Sequence, residues 1–151
     1  MLQRVTLDNY WMGRDKKPIY AVEVTTAIRV NAQETVHRVN ALLGRMEADR
    51  VSLELHPNGT IVSSGWRPAA INSVTLGSAI RSKHITGEAC DLYDPDGLID
   101  EWCWAHQEIL ATIDLYIEHP SATKGWCHVQ IVPPKSQENI ARDNRRRWFY
   151  P

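Results

Sequence analysis

Two short runs, "GEACDLYD" from Gly87 to Asp94 and "WCHVQIV" from Trp126 to Val132, constrain the fold of this chain more than any other feature. Both have strand composition. Side chains on a strand alternate between two faces, so Asp91 shares a face with Ala89 and Tyr93 while Cys90 and Leu92 point the other way. In the second run Cys127, Val129 and Ile131 form the apolar face, and His128 and Gln130 the opposite one. Each strand thus turns a metal-binding side chain to the same polar side and a cysteine to the core. A random scatter of histidines rarely has that consistency.

The rest of the chain supplies partners for such a sheet. "VNAQETVHRVNALLGRM" offers Asn31 as an N-cap with Glu34 three residues on, then Val36, Val39, Leu42, Leu43 and Met46 on one helical face. "HPNGTIVSSGWRP" reads as a strand that leaves the Asn58-Gly59 turn and ends at Gly65. "AINSVTLGSAIRSK" has mixed helical and loop character. From Leu98 onward Ile99, Trp102, Cys103, His106, Ile109, Leu110 and Ile113 recur at helical spacing, which predicts one longer helix. "DLYIE" adds a further strand. The order predicts an α+β fold, a small antiparallel sheet with flanking helices. With 151 residues and no repeat, low-complexity stretch or linker, a single domain over 1–151 is expected.

Charge and composition narrow the partners. The formal net charge is -1, so nothing in the total charge draws the chain to nucleic acid or an anionic membrane. Arg142, Arg145, Arg146 and Arg147 in "RDNRRRWFY" are read as a solvated terminal segment whose Trp148 and Phe149 pack onto the sheet. No apolar run approaches the roughly 20 residues needed to cross a bilayer, and the first residues lack a signal-peptide core. Cytoplasmic synthesis without membrane insertion is expected. Three cysteines without a C-x-x-C pair argue against a disulfide framework or a thiolate zinc knuckle.

"SKHITGEACDL" places His84 and Asp91 seven positions apart with Gly87 between them, where a glycine permits a sharp backbone path. His128 is the natural third ligand from the second strand. Three such ligands leave a position for water, as a catalytic zinc site requires. His37, His56 and His106 are read as structural. Asp94 and Asp96 in "YDPDG" resemble part of a calcium loop, but Pro95 and the missing later acids break the pattern, which leaves a turn feeding the next helix.

Ser82, His84, Gly87, Ala89, Asp91 and Leu92 resemble the S-x-H-x-x-G-x-A-x-D-L motif of the zinc D-alanyl-D-alanine carboxypeptidase and L-alanyl-D-glutamate endopeptidase family. That family includes phage endolysins and is similar in fold to hedgehog signalling domains. "SSGWRPAAIN" resembles its S-G-x-R segment and "GWCHVQ" its W-x-H segment, while "NYWMGRD" and "PPKSQENIARDNRRRWFYP" are similar to phage and prophage members. The resemblance implies Zn2+ held by His84, Asp91 and His128. It implies that Arg67 grips a substrate carbonyl or carboxylate and that Ser82 lines the site; Gln130, on the His128 face, is taken as a further substrate-binding residue.

One position departs from the family. Several branches carry an acidic general base three residues before the last histidine, where this chain has Gly125. Glu118 is then the expected base, with His119 as the alternative. The activity implied is cleavage of peptidoglycan stem peptides, at a D-Ala-D-Ala or an L-alanyl-D-glutamate bond, by a phage or prophage type enzyme released to the cell wall. Two rival readings are a non-catalytic, zinc-stabilised wall-binding or structural module and a metal hydrolase acting on another small amide. Oligomeric state is not readable from the sequence.

Overall fold

The computed structural model describes residues 4–134 and 147–151. Two short helices, α1 (Leu7–Trp11) and α2 (Pro18–Ala21), precede the long α3 (Thr26–Ala48). Next come β1 (Val62–Ser64), α4 (Ala69–Val74) and β2 (Ala89–Asp94), then α5 (Leu98–Ala105), α6 (Gln107–Ile113), β3 (Tyr116–Glu118), β4 (Gly125–Gln130) and β5 (Trp148–Phe149). The α+β class agrees with the sequence pattern. Among the described residues no helix is long and apolar enough to cross a membrane.

The sheet runs β1-β2-β4-β3-β5. Its first four strands pair antiparallel, as expected, but β5 lies parallel to β3, so the sheet is mixed rather than antiparallel. The cause is the free edge of β3, whose amides need acceptors. Ile117 N–H donates to the Arg147 carbonyl and His119 N–H to the Phe149 carbonyl, both at 2.7 Å. Trp148 and Phe149 therefore join the sheet as a strand. Arg147 pairs with Asp114 at 2.7 Å and lies 4.5 Å from the Tyr116 ring centroid, whereas Arg142, Arg145 and Arg146 lie outside the described residues.

Two helix boundaries differ from the sequence reading. The long helix is capped by Thr25, whose hydroxyl accepts from Ile28 N–H at 3.1 Å, so Asn31 sits inside it rather than at its start. The Asn31 amide instead donates to the Thr86 carbonyl at 3.0 Å, which stitches α3 to the loop after His84. The single helix expected after Leu98 is two, broken at His106. There the imidazole takes the Trp102 carbonyl at 2.7 Å and stacks on the Trp102 ring, and the Gln107 side chain takes the Cys103 carbonyl at 2.9 Å. Side chains that capture these carbonyls compete with the backbone ladder and end the first segment.

The core forms where α3 meets the apolar face of the sheet. Val39, Leu42, Leu43 and Met46 are fully buried, as are Cys90 and Leu92 on β2 and Cys127 and Val129 on β4. Each such side chain stabilises the fold by roughly 1.5–3 kcal/mol. All three cysteines are free and buried, and His37 is exposed on the outer side of α3. The predicted alternation therefore holds on both strands.

Gly87 closes the turn between His84 and β2. Its φ is +79°, and a Cβ there would stand 2.8 Å from the Ile28 carbonyl oxygen on α3. Both the left-handed backbone and the close approach require glycine. Gly87→Ala is expected to destabilise the protein by about 2–3 kcal/mol in chemical denaturation, and an unchanged midpoint would contradict this packing.

Candidate metal centre

β2 and β4 pair in a register that sets Asp91 directly opposite His128, so the two side chains rise from the same face side by side. His84 reaches them from the loop before β2. Its Nε2 stands 3.2 Å from Asp91 Oδ1, and His128 Nδ1 stands 2.8 Å from the same oxygen. One ligand atom from each of the three residues lies within 4.8 Å of the others, a group that can hold a metal ion. The three ligands expected from the sequence are thus brought together.

Outer hydrogen bonds aim both imidazoles. His84 Nδ1 lies 2.8 Å from the Gly65 carbonyl, which can only accept, so Nδ1 carries a proton and Nε2 is the nitrogen turned toward Asp91. His128 Nε2 lies 3.0 Å from Gln130 Oε1, while Gln130 Nε2 donates to the Val132 carbonyl at 2.8 Å. That second bond orients the amide with its oxygen toward His128, which makes Nδ1 the nitrogen available to a metal. Such orienting partners raise the basicity of metal-bound histidines.

The Gly65 carbonyl is itself positioned by backbone contact. Trp66 N–H donates to the Tyr10 carbonyl at 3.0 Å, and a Cβ on Gly65 would lie 1.9 Å from that oxygen. No side chain fits there. Tyr10 also donates its hydroxyl to the Ala89 carbonyl at 2.8 Å, so α1 braces β2 as well.

Arg67 is buried beside the ligands. Its guanidinium donates to Asn72 Oδ1 and Ser64 Oγ, each at 3.1 Å, and stands 3.9 Å from Asp91 Oδ2. Burial lowers its pKa, and the Asp91 charge opposes that effect. Burial would raise the Asp91 carboxyl, but the charges and hydrogen bonds of His84 and His128 outweigh it and hold the group well below the usual carboxylate range. Burial would lower His128, yet its hydrogen bond to Asp91 and the charges of Asp91 and Glu118 push it up to about 9. Without a metal, His128 is therefore an imidazolium that donates to Asp91. A metal ion at this place takes over from that proton.

These groups open into a cleft of about 640 Å³. Arg67, Ser82, Glu118 and Gln130 all line it together with His84, Asp91 and His128. Burial raises Glu118, and the His128 charge opposes the rise. His119 does not line this cleft; its imidazole bonds Ser121 at 2.7 Å and stacks on Tyr150. Ser82 Oγ accepts from His84 N–H at 3.2 Å, which fixes the ligand loop. Gln130 spends both ends of its amide on His128 and Val132, so its contact is with the ligand histidine.

Sequence reasoning missed Asn72 and read no role for Ser64 or Trp126. Asn72 lies in a helix of only six residues, and no periodicity marks it as the group that pins Arg67. Ser64 is the serine of the S-G-x-R segment and Trp126 the tryptophan of W-x-H, and strand alternation could have placed Trp126 on the His128 face. His56 accepts from Asn58 N–H at 3.0 Å within its turn, a local role as read.

The fold and site together define an α+β protein with a buried His-Asp-His group able to hold a metal ion. No family model matches the chain, and no curated protein or solved structure matches it either.

The Asp91–His128 pair makes stability depend on pH. His128 is raised from 6.5 to about 9, so its contribution is complete below about pH 6.5 and is lost as pH rises through 9. Asp91 is lowered from 3.8, so its contribution is present above about pH 4 and is lost in acid. In the presence of a chelator, the folding free energy should fall by about 3 kcal/mol between pH 6.5 and 10 relative to the His128→Asn variant. Parallel profiles for the two proteins, measured by denaturant titration, would rule out the pair.

Proposed function

We propose that the chain is a zinc-dependent peptidase of the hedgehog/DD-peptidase fold that cleaves peptidoglycan stem peptides. One observation carries the reading: His84, Asp91, His128 and Arg67, the residues that the motif resemblance singles out, converge in a single cleft with Glu118, the acid chosen in place of Gly125.

The donor set suits zinc. Two imidazole nitrogens and one carboxylate oxygen match a three-ligand catalytic site, whereas magnesium and calcium favour all-oxygen shells. Thiolate ligation is excluded by position, because Cys90 and Cys127 lie on the core face. A zinc ion held there lowers the pKa of a bound water towards ~7 and polarises an amide carbonyl.

The chain's own groups supply the rest. Glu118, half buried and with its pKa raised, accepts a proton from water and passes it to the leaving amine. Glycine at position 125 leaves that duty to another residue, and among the described residues Glu118 is the side-chain carboxylate that lines the cleft besides Asp91. Arg67, pinned by Asn72 and Ser64, presents a planar fork to a substrate carbonyl or carboxylate and stabilises the negative charge that develops on it. Ser82 sets the His84 loop. The substrate lies in the cell wall, so release by host lysis or delivery by a phage particle belongs to the same proposal.

Purified protein should contain about one zinc per chain and release peptide fragments from isolated peptidoglycan, as read by mass spectrometry. A chelator should abolish the activity and added zinc restore it. Glu118→Gln should lower kcat by about 10²–10⁴-fold with metal content unchanged. Undiminished turnover in that variant would remove Glu118 from the mechanism. Full zinc occupancy with no fragment released from any stem peptide would establish the non-catalytic module instead.

A further inference from the structure

Four aromatic rings meet where the end of α5 packs against β5, and the proposed reaction uses none of them. Trp104 stacks on Trp148 with ring centroids 4.9 Å apart, and His119 stacks on Tyr150 at 4.4 Å. Edge contacts join the two stacks, from His119 to Trp104 at 5.5 Å and to Trp148 at 5.4 Å, and from Trp148 to Tyr150 at 5.3 Å. The rings form one continuous cluster.

Its outer members reach solvent. Trp104 is 45% exposed and Tyr150 47%. A stacked neighbour covers one face of each, so the opposite faces of these flat side chains are the surface on offer. Large aromatic area left in water at contiguous positions marks a place of contact, because burying it is strongly favourable.

The cluster joins two depressions. Tyr150 lines the metal cleft, and Trp104 lines a separate cleft of about 450 Å³ beside the start of α5. A ligand that follows the rings leaves the metal cleft and continues along the surface. That path suits an extended chain better than a compact molecule.

Charge narrows the class of chain. Arg147, next to Trp148 in the sequence, is spent on Asp114 at 2.7 Å and lies over the Tyr116 ring, while exposed Lys124 and exposed Glu101 offset one another on the second cleft. Glu118 shares the metal cleft with Tyr150. Among the described residues the charges around the rings therefore balance. A nucleic acid also stacks its bases on such rings, but its phosphates need several free cations. A neutral chain needs none. A pyranose presents C–H groups on one face, which are drawn to the electron-rich face of an aromatic ring, and hydroxyls around its edge. Exposed Ser121, Glu101 and Lys124 beside the rings supply hydrogen-bond partners for those hydroxyls.

We infer that the cluster docks a neutral glycan chain, with Trp104 and Tyr150 making the contact and Trp148 and His119 backing them. The identity of the sugar, the N-acetylhexosamine backbone of the wall polymer, rests on the peptidoglycan reading. A stem peptide hangs from a glycan strand, so a cleft that takes the peptide lies within a short peptide's reach of the sugars, and Tyr150 brings the rings to the edge of that cleft.

The probe is chitotetraose, a neutral chain of β-linked N-acetylglucosamine that carries no peptide, titrated by calorimetry and indole NMR shifts into zinc-free and zinc-loaded protein. Saturable binding with a Kd of about 0.1–1 mM is expected in both forms, with shifts at the indoles of Trp104 and Trp148. Trp104→Ala and Tyr150→Ala should each weaken it about three- to tenfold. Both residues are half exposed, so two variants at separate elements keep the test open if one of them folds poorly. Sugar binding without peptide release from peptidoglycan would uphold this site and reject the peptidase, whereas peptide release without sugar binding would do the reverse. Absence of saturation, affinity unchanged in both variants, tighter binding of a thymidine oligonucleotide than of the sugar at equal salt, or a concentration-dependent dimer abolished by Trp104→Ala would each overturn the proposal.

Discussion

The structure is organised around one carboxylate taken out of water. Asp91 is almost wholly buried on β2, and a buried charge is tolerated only where opposite charges and hydrogen bonds replace its hydration. His128 meets it across the strand pair, His84 from the preceding loop, and Arg67 from beyond β1. Shifting the β2–β4 register by one residue would turn Asp91 to the apolar side beside Cys127 and Val129. The pairing of the strands and the electrostatics of the site are therefore one constraint.

Much of this was legible in the sequence because strand alternation is a strict period of two. It placed Asp91 and His128 on one face and the cysteines on the other without knowledge of the partners. Helix ends were less legible, since Asn31 with Glu34 three residues on imitates a capping box that Thr25 in fact provides. The break at His106 was hidden because side-chain capture of carbonyls leaves the apolar spacing intact. The parallel β5 could not be foreseen either, as two residues carry no signal of direction. Asn72, and the role of Ser64, were invisible for a related reason: what they do depends on where Arg67 ends up.

The histidines are aimed by groups with little chemistry of their own. Gly65 contributes a carbonyl and an absence of side chain, which lets α1 and the end of β1 touch backbone to backbone. Gln130 contributes an amide that is fixed at both ends. Glu118 was found by proximity along the chain alone, and its raised pKa follows from the same partial burial that closes the cleft around it.

The strand pair that carries Asp91 and His128 also sets the order in which the molecule can assemble. Between those residues the chain makes β3 and both helices of the α5–α6 segment, so the long loop must close before the two side chains meet. His84 and Asp91, by contrast, are joined by a single tight turn and can approach early. The group able to hold an ion is therefore half assembled by a local turn and complete only once the distant strand has docked.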